Sequence, residues 1–132
     1  GELQIYFDEI GVPYTSCGAE KSELTFDKHK CNETLRELNF RCAVSYFYRK
    51  GETINADEIT QKVGLPCFVK PNATGSSFGI SKVMKKEDLE DAIQLALQHD
   101  NKVLIEEFID GTEVSCGIFT HKEIEVFPAL CK

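Results

Sequence analysis

The chain has 132 residues, 42% apolar and 28% charged, which is ordinary usage for one globular domain with a single core and leaves no tract to read as disordered. A net charge of −7 and a pI near 5.0 exclude a general nucleic-acid or acidic-membrane surface, because such surfaces need many lysines and arginines acting together. Any phosphate ligand must meet a local basic site.

No stretch approaches the roughly 20 apolar residues of a membrane span, and the N-terminus lacks a charged-then-apolar signal pattern, so a cytoplasmic location is expected. Six cysteines, at 17, 31, 42, 67, 116 and 131, are irregularly spaced without a C-x-x-C pair; reduced, small, buried thiols are expected. His29, His99 and His121 stand at no zinc-ligand spacing from a cysteine pair, so no metal site is expected.

Residues 2–10, ELQIYFDEI, set Leu3, Phe7 and Ile10 at helical spacings and predict a short amphipathic helix stopping before Gly11 and Pro13. In TFDKHKCNETLRELNF (25–40), Cys31, Leu35 and Leu38 share one face, which predicts a second helix with Thr25 as its cap and Asp27 in the first turn. CAVSYFY (42–48) reads as a strand ending in the turn RKGET, and NADEITQKV (55–63) as a helix opened by an Asn55-x-x-Glu58 cap and closed by Gly64 and Pro66. CFVK (67–70) and GISKVM (79–84) predict a β-hairpin around a Gly-Ser tip.

KEDLEDAIQLALQ (86–98) is the clearest helix, with Leu89, Ala92, Ile93, Ala96 and Leu97 forming one apolar stripe. Three strands then follow, KVLIEEFI (102–109), EVSCGIFTH (113–121) and EIEVFPAL (123–130), separated by Gly111 and the THKE turn. Strands with interspersed helices predict an α+β fold on a largely antiparallel sheet. No internal repeat is visible.

Lys70 ends an apolar run and faces a tip containing Gly75, Ser76, Ser77 and Gly79. Glycines free the backbone to turn its N–H groups inward, hydroxyls add donors and the lysine adds a full charge, which together suit an anion. A solvated turn with a surface lysine accounts for the same residues, and neither the P-loop nor the dinucleotide glycine motif is present. In VLIEEFIDGTEV (103–114), Glu106 and Glu107 appear as a buried strand leaves the core, followed by Phe108 and Ile109. Such groups can hydrogen-bond an adenine amino group and ribose hydroxyls while apolar residues cover the base. An edge strand using charge to discourage sheet-to-sheet pairing is the alternative.

GVPYTSCG (11–18), FDKHK (26–30), GLPCFVKPNATGSSFGISKV (64–83) and KVLIEEFIDGTEVSCGI (102–118), in this order, resemble the ATP-grasp nucleotide-binding domain, and more narrowly the central part of bacterial D-alanine:D-alanine ligases. The resemblance spans most of the chain, and VKP followed by GSS-x-G-x-SKV is quite specific within that superfamily. It implies an ATP-grasp subdomain over 21–132, a fragment of a larger ligase, with 1–20 the remnant of a preceding domain and its linker. Gly1, Glu2 and Gln4 match part of a Gly-Glu-Asp/Asn-Gly-x-x-Gln-Gly motif, and Ile5 stands where a glycine is usual.

The resemblance further implies that Lys28 and Lys70 contact the phosphates of ATP and that Gly75, Ser76, Ser77 and Gly79 belong to a loop folding over them. Glu106 would meet the adenine amino group, Glu107 and Ile109 would make backbone contacts to the base, Phe108 would cover it and Glu113 would hold the ribose. Ser76 matches a serine that links the loop to the substrate side of the catalytic site. The implied reaction phosphorylates one D-alanine with ATP and lets the amine of a second attack the acylphosphate, giving a dipeptide for peptidoglycan.

In these ligases the carboxylates that bind magnesium (Mg2+), and a transition-state arginine, lie on a C-terminal domain without counterpart here, so the chain alone is expected to be inactive. The whole enzyme is implied to be a bacterial cytoplasmic homodimer. Two other readings stay open: part of another ATP-grasp carboxylate-amine ligase, or a non-catalytic interaction domain of the same fold. Apolar surface normally covered by neighbouring domains is expected to face water, first on the N-terminal helix.

Overall fold

The chain opens with three short helices, of which only the third has a side-chain cap. In the computed structural model, which describes residues 1–120 and 123–131, these are α1 (Glu2–Glu9), α2 (Ala19–Phe26) and α3 (Lys28–Glu37). The single helix expected from Thr25 onward is therefore two. Asp27 is the cap of α3, its carboxylate accepting from the Lys30 N–H at 2.9 Å, while Thr25 sits in the last turn of α2 and donates its hydroxyl back to the Lys21 carbonyl. The boundary expected between residues 20 and 21 falls inside α2.

Strand β1 (Ser45–Arg49), helix α4 (Ala56–Val63), strands β2 (Cys67–Pro71) and β3 (Ser81–Val83), a 3-10 turn (Lys86–Asp88), helix α5 (Leu89–Ala96) and strand β4 (Lys102–Glu107) complete the body. The sheet order is β1-β4-β2-β3 and every pair is antiparallel. Asn55 caps α4 as its pattern predicts, accepting from the Glu58 N–H at 3.2 Å.

Alternation along the strands gives the sheet two faces. One presents Tyr48, Cys67, Val69, Val83, Val103 and Ile105 to Ile59 and Val63 of α4 and to Leu89, Ala92, Ile93 and Ala96 of α5. This is the core, and each of its fully buried isoleucines and leucines contributes roughly 1.5–3 kcal/mol. The other face carries Ser45, Phe47, Phe68, Lys70, Lys82, Leu104 and Glu106 by register. Helix α3 covers the β1/β4 half of that face: His29 stacks on Phe47 with ring centroids 3.9 Å apart, and Arg36 donates to the Ser45 hydroxyl. On the β2/β3 half, Phe68 and Lys70 stay half-buried and Lys82 is exposed.

Beyond β4 the chain forms two small ribbons, β5 (Val114–Ser115) with β8 (Leu130–Cys131), and β6 (Ile118–Thr120) with β7 (Ile124–Val126). The strand expected over 113–121 is broken at Cys116 and Gly117, where the chain bends so that the Phe127 N–H donates to the Gly117 carbonyl at 2.9 Å. The strand expected over 123–130 is likewise two. The expected THKE turn includes residues 121 and 122, and with His121 and Lys132 these lie outside the described residues.

Exposed apolar side chains lie on α1 as expected, at Leu3, Ile5 and Tyr6 with Phe7 packed near Tyr14, and also on the ribbons, where Val114, Ile118, Ile124, Val126 and Leu130 are all more than half exposed. The cysteines are unpaired, but burial holds fully only for Cys67; Cys17, Cys116 and Cys131 are exposed because their segments lie at the surface. Among the described residues, no helix is long and apolar enough to cross a membrane.

Candidate functional site

Pairing of β2 with β4 places Phe68 opposite Glu106 and Lys70 opposite Leu104, making Lys70 and Glu106 diagonal neighbours on one face. Lys70 Nζ lies 2.5 Å from Glu106 Oε2, and Asn32 Nδ2 donates to Glu106 Oε1 at 2.8 Å. With Glu106 only 9% exposed, this carboxylate has a partner on each oxygen and retains lone pairs for a further donor. Because β4 is paired on both sides, Glu106 is no edge-strand charge, and that alternative falls away. Glu107 is tied to the chain before β1, its Oε1 accepting from the Val44 N–H at 2.8 Å.

Lys28 enters from the first turn of α3. Its Nζ donates to the carbonyls of Pro71, Asn72 and Thr74 at 3.1, 3.2 and 2.8 Å. Burial and the neighbouring Lys70 ammonium push the Lys28 pKa below its ordinary value, against the opposing pull of Asp100, Glu106 and Asp27. An anion between the two lysines would relieve that repulsion, which is the fit a phosphate needs.

Asn72 joins the two elements. Fully buried, it accepts from the His29 N–H on Oδ1 at 2.9 Å and from the Lys28 N–H on its carbonyl at 3.2 Å, while its own N–H donates to the Lys102 carbonyl at 2.9 Å.

The loop after β2 uses its glycines unequally. Gly79 has φ +70°, and a Cβ there would lie 2.5 Å from His99 Cδ2 and 2.9 Å from Pro71 Cγ. Gly75 has no left-handed φ and faces open space, so the freedom expected of it is not used. Instead Ser76 and Ser77 adopt φ 54° and 58°, a conformation costing side-chain-bearing residues about 1–2 kcal/mol each. Asp100 holds the loop base through the Ala73 N–H at 2.7 Å.

Phe68 and Phe108 have ring centroids 6.0 Å apart, Lys82 Nζ lies 3.7 Å from the Phe108 centroid, and Lys70 Nζ lies 5.5 Å from that of Phe68. The structure thus brings Lys28, Lys70 and Glu106 together, with Phe108 beside them through Phe68. Ile109 and Glu113 lie on the exposed segment leading into the ribbons, and Gly75, Ser76 and Ser77 on the exposed loop tip. A cavity of about 700 Å³ between α1, α2 and Lys102 is lined by none of these residues.

Asn32, Phe68, Asn72 and Lys82 went unmarked in the sequence. Spacing was the available signal for two of them, since Asn32 is four residues beyond Lys28 on a helix and Phe68 two before Lys70 on a strand. Among the described residues, no group of three His, Cys, Asp or Glu side chains is placed to hold a metal ion.

The D-alanine–D-alanine ligases of Flavobacterium johnsoniae and Phocaeicola vulgatus are 50% and 48% identical to this chain over 129 residues, 97% of it but 40% of their own length. The chain thus spans about 40% of those curated relatives. The crystal structure of VanG D-Ala:D-Ser ligase from Enterococcus faecalis matches with a TM-score of 0.85 at 32% identity, covering 98% of this chain and 38% of that one. D-alanyl-alanine synthetase A from Vibrio cholerae matches with a TM-score of 0.90 at 24% identity, covering 100% of this chain and 41% of its own, and so speaks to the fold alone. That fold is the expected α+β arrangement of antiparallel sheet and packed helices. A family model described as the D-ala D-ala ligase C-terminus matches residues 35–130, well over half of the sequence, and the chain belongs to that family.

Proposed function

We propose that this chain is the ATP-binding part of a D-alanine:D-alanine ligase, whose whole enzyme makes the dipeptide for peptidoglycan through an acylphosphate. The observation that carries the reading is the pairing of half-buried Lys70 with buried Glu106 on the open half of the sheet, flanked by Lys28 and by the rings of Phe68 and Phe108. On this reading the lysines meet phosphate oxygens, Glu106 accepts from the adenine amino group, and Glu107 and Ile109 offer backbone groups to the base. Phe108 covers the base and Glu113 accepts from the ribose. The loop from Gly75 to Gly79 closes over the phosphates, with Ser76 linking it to the substrate side.

We assign residues 21–132 to the nucleotide-binding subdomain and 1–20 to its connection. Magnesium would neutralise and align the phosphates in the whole ligase, held by carboxylates outside this chain. The whole enzyme is read as a cytoplasmic homodimer, and the isolated chain as inactive. D-serine is a second acceptor to test, because the similar VanG enzyme is a D-Ala:D-Ser ligase.

Thermal unfolding with ATP, with and without magnesium, tests the reading. Half of a nucleotide clamp should bind weakly; for a dissociation constant of about 1 mM, ~10 mM ATP adds roughly 1.4 kcal/mol, or about 5 °C at this size. Lys70→Ala should abolish the saturating rise. No rise in either protein refutes ATP binding by this chain alone. D-alanine-dependent phosphate release by the wild-type chain, lost in Lys70→Ala, would overturn its inactivity.

A further inference from the structure

An ammonium group has three N–H donors and no more. In Lys28 all three are committed, to the carbonyls of Pro71, Asn72 and Thr74, at the end of β2 and the base of the loop leaving it. We propose that Lys28 is a positioning residue for the glycine-serine loop, holding its base in shape from α3 before any ligand arrives. This goes beyond the nucleotide reading, since it concerns the ligand-free protein.

Three observations converge on it. The loop cannot hold its shape by itself, because Ser76 and Ser77 are both left-handed and the Phe78 and Ile80 N–H groups reach the Gly75 and Ser77 carbonyls only at 3.4 Å. Its outer end is wedged where Gly79 meets His99 and Pro71, and its inner end is held by Asp100 at the Ala73 N–H. Lys28 is the support between them that comes from a different layer, and Asn72 fixes the start of α3 so that the ammonium reaches the Thr74 carbonyl at 2.8 Å.

The three bonds differ in how easily they can be given up. The Asn72 carbonyl already accepts from the Lys28 backbone N–H at 3.2 Å, so losing the side-chain donor would not leave it unpaired. Lys28 can therefore turn that donor toward a phosphate and keep Pro71 and Thr74. Holding the loop and meeting an anion are compatible roles for one side chain.

Amide hydrogen exchange on the ligand-free chain tests the proposal, comparing wild type with Lys28→Met. Exchange at Phe78 and Ile80 should rise by roughly tenfold or more while Val103 and Ile105 in the sheet keep their protection. Unchanged loop exchange beside an intact sheet would overturn it. Should Lys28→Met unfold the sheet as well, the wild-type protein decides: the Lys28 ammonium should give a slowly exchanging NMR signal with hydrogen-bond coupling to the Thr74 carbonyl. Absence of that signal overturns the proposal. Adding ATP separates the two readings, because a Lys28 signal that ignores ATP while loop exchange still depends on Lys28 sinks the nucleotide reading and leaves this one standing.

Discussion

Replacing Gly79 by alanine adds one methyl group at a position where two costs combine. The backbone there has φ +70°, where a Cβ costs about 1–2 kcal/mol. That Cβ would also sit 2.5 Å from His99 Cδ2 and 2.9 Å from Pro71 Cγ, an overpacking that costs about 1–3 kcal/mol. His99 can swing aside, but Pro71 belongs to β2 and cannot move without disturbing the sheet. The sum, about 2–5 kcal/mol, corresponds to a loss of about 7–18 °C in Tm for a chain of this size.

Gly75→Ala is the control four residues away. Nothing lies within 4 Å of its Cβ position and its φ is not left-handed, so it should leave Tm unchanged or raise it by about 1–4 °C through the lower entropy of the unfolded chain. Adding His99→Ala to Gly79→Ala should recover part of the loss and not the rest, since Pro71 and the backbone conformation remain. Differential scanning calorimetry measures all three. A Gly79→Ala protein melting within about 2 °C of wild type would refute the reasoning, as would full recovery in the double variant.

Two further outcomes follow from the ionisable groups. Burial raises the Asp27 pKa, but the Lys30 N–H, the Asn72 amide, Lys102 and Lys30 outweigh it and hold the carboxyl below its ordinary value of 3.8. Its contribution is therefore complete above that value and lost as pH falls through the lower folded one. The Tm advantage of wild type over Asp27→Asn should shrink as pH falls below that ordinary value, and a constant gap would contradict the assignment. Burial pushes the Cys67 thiol up and leaves it fully covered, so a thiol reagent at neutral pH should label the exposed Cys17, Cys116 and Cys131 first and reach Cys67 only on unfolding; labelling of Cys67 in step with those three would show that the core opens.

Where apolar spacing was strong, the fold was legible. The stripe of Leu89, Ala92, Ile93 and Ala96 became α5, Asn55 became the cap of α4, and the short strand CFVK became β2, one residue longer than expected. Helix α2 was not legible, because AEKSELTF starts at Gly18 without a side-chain cap and none of its residues is buried. Thr25 looked like a cap, but Asp27 was better placed for the N–H three residues on, and a hydroxyl inside a helix can satisfy itself on the preceding turn.

The ribbons beyond β4 failed differently, since a strand two or three residues long has no period to read. Lys70 and Glu106 stood out as charges at the ends of apolar runs, whereas the partners of Lys28 are main-chain carbonyls, which leave no mark in residue types.

The order β1-β4-β2-β3 sets a schedule for assembly as well as a shape. Strands β2 and β3 are joined by a local loop and can pair early, but β1 has no partner until residues 102–107 arrive to lie between it and β2. A nascent chain that has emerged only as far as Asp100 therefore holds two halves of a sheet with no strand between them, and a Lys70 whose carboxylate partner has yet to be made. Lys70 gains its carboxylate partner in the same step that closes the core, whereas the carbonyls that hold Lys28 belong to residues 71, 72 and 74 and are already present. Ligand binding by this chain would then be a readout of completed folding, and a truncation before Lys102 would abolish both together.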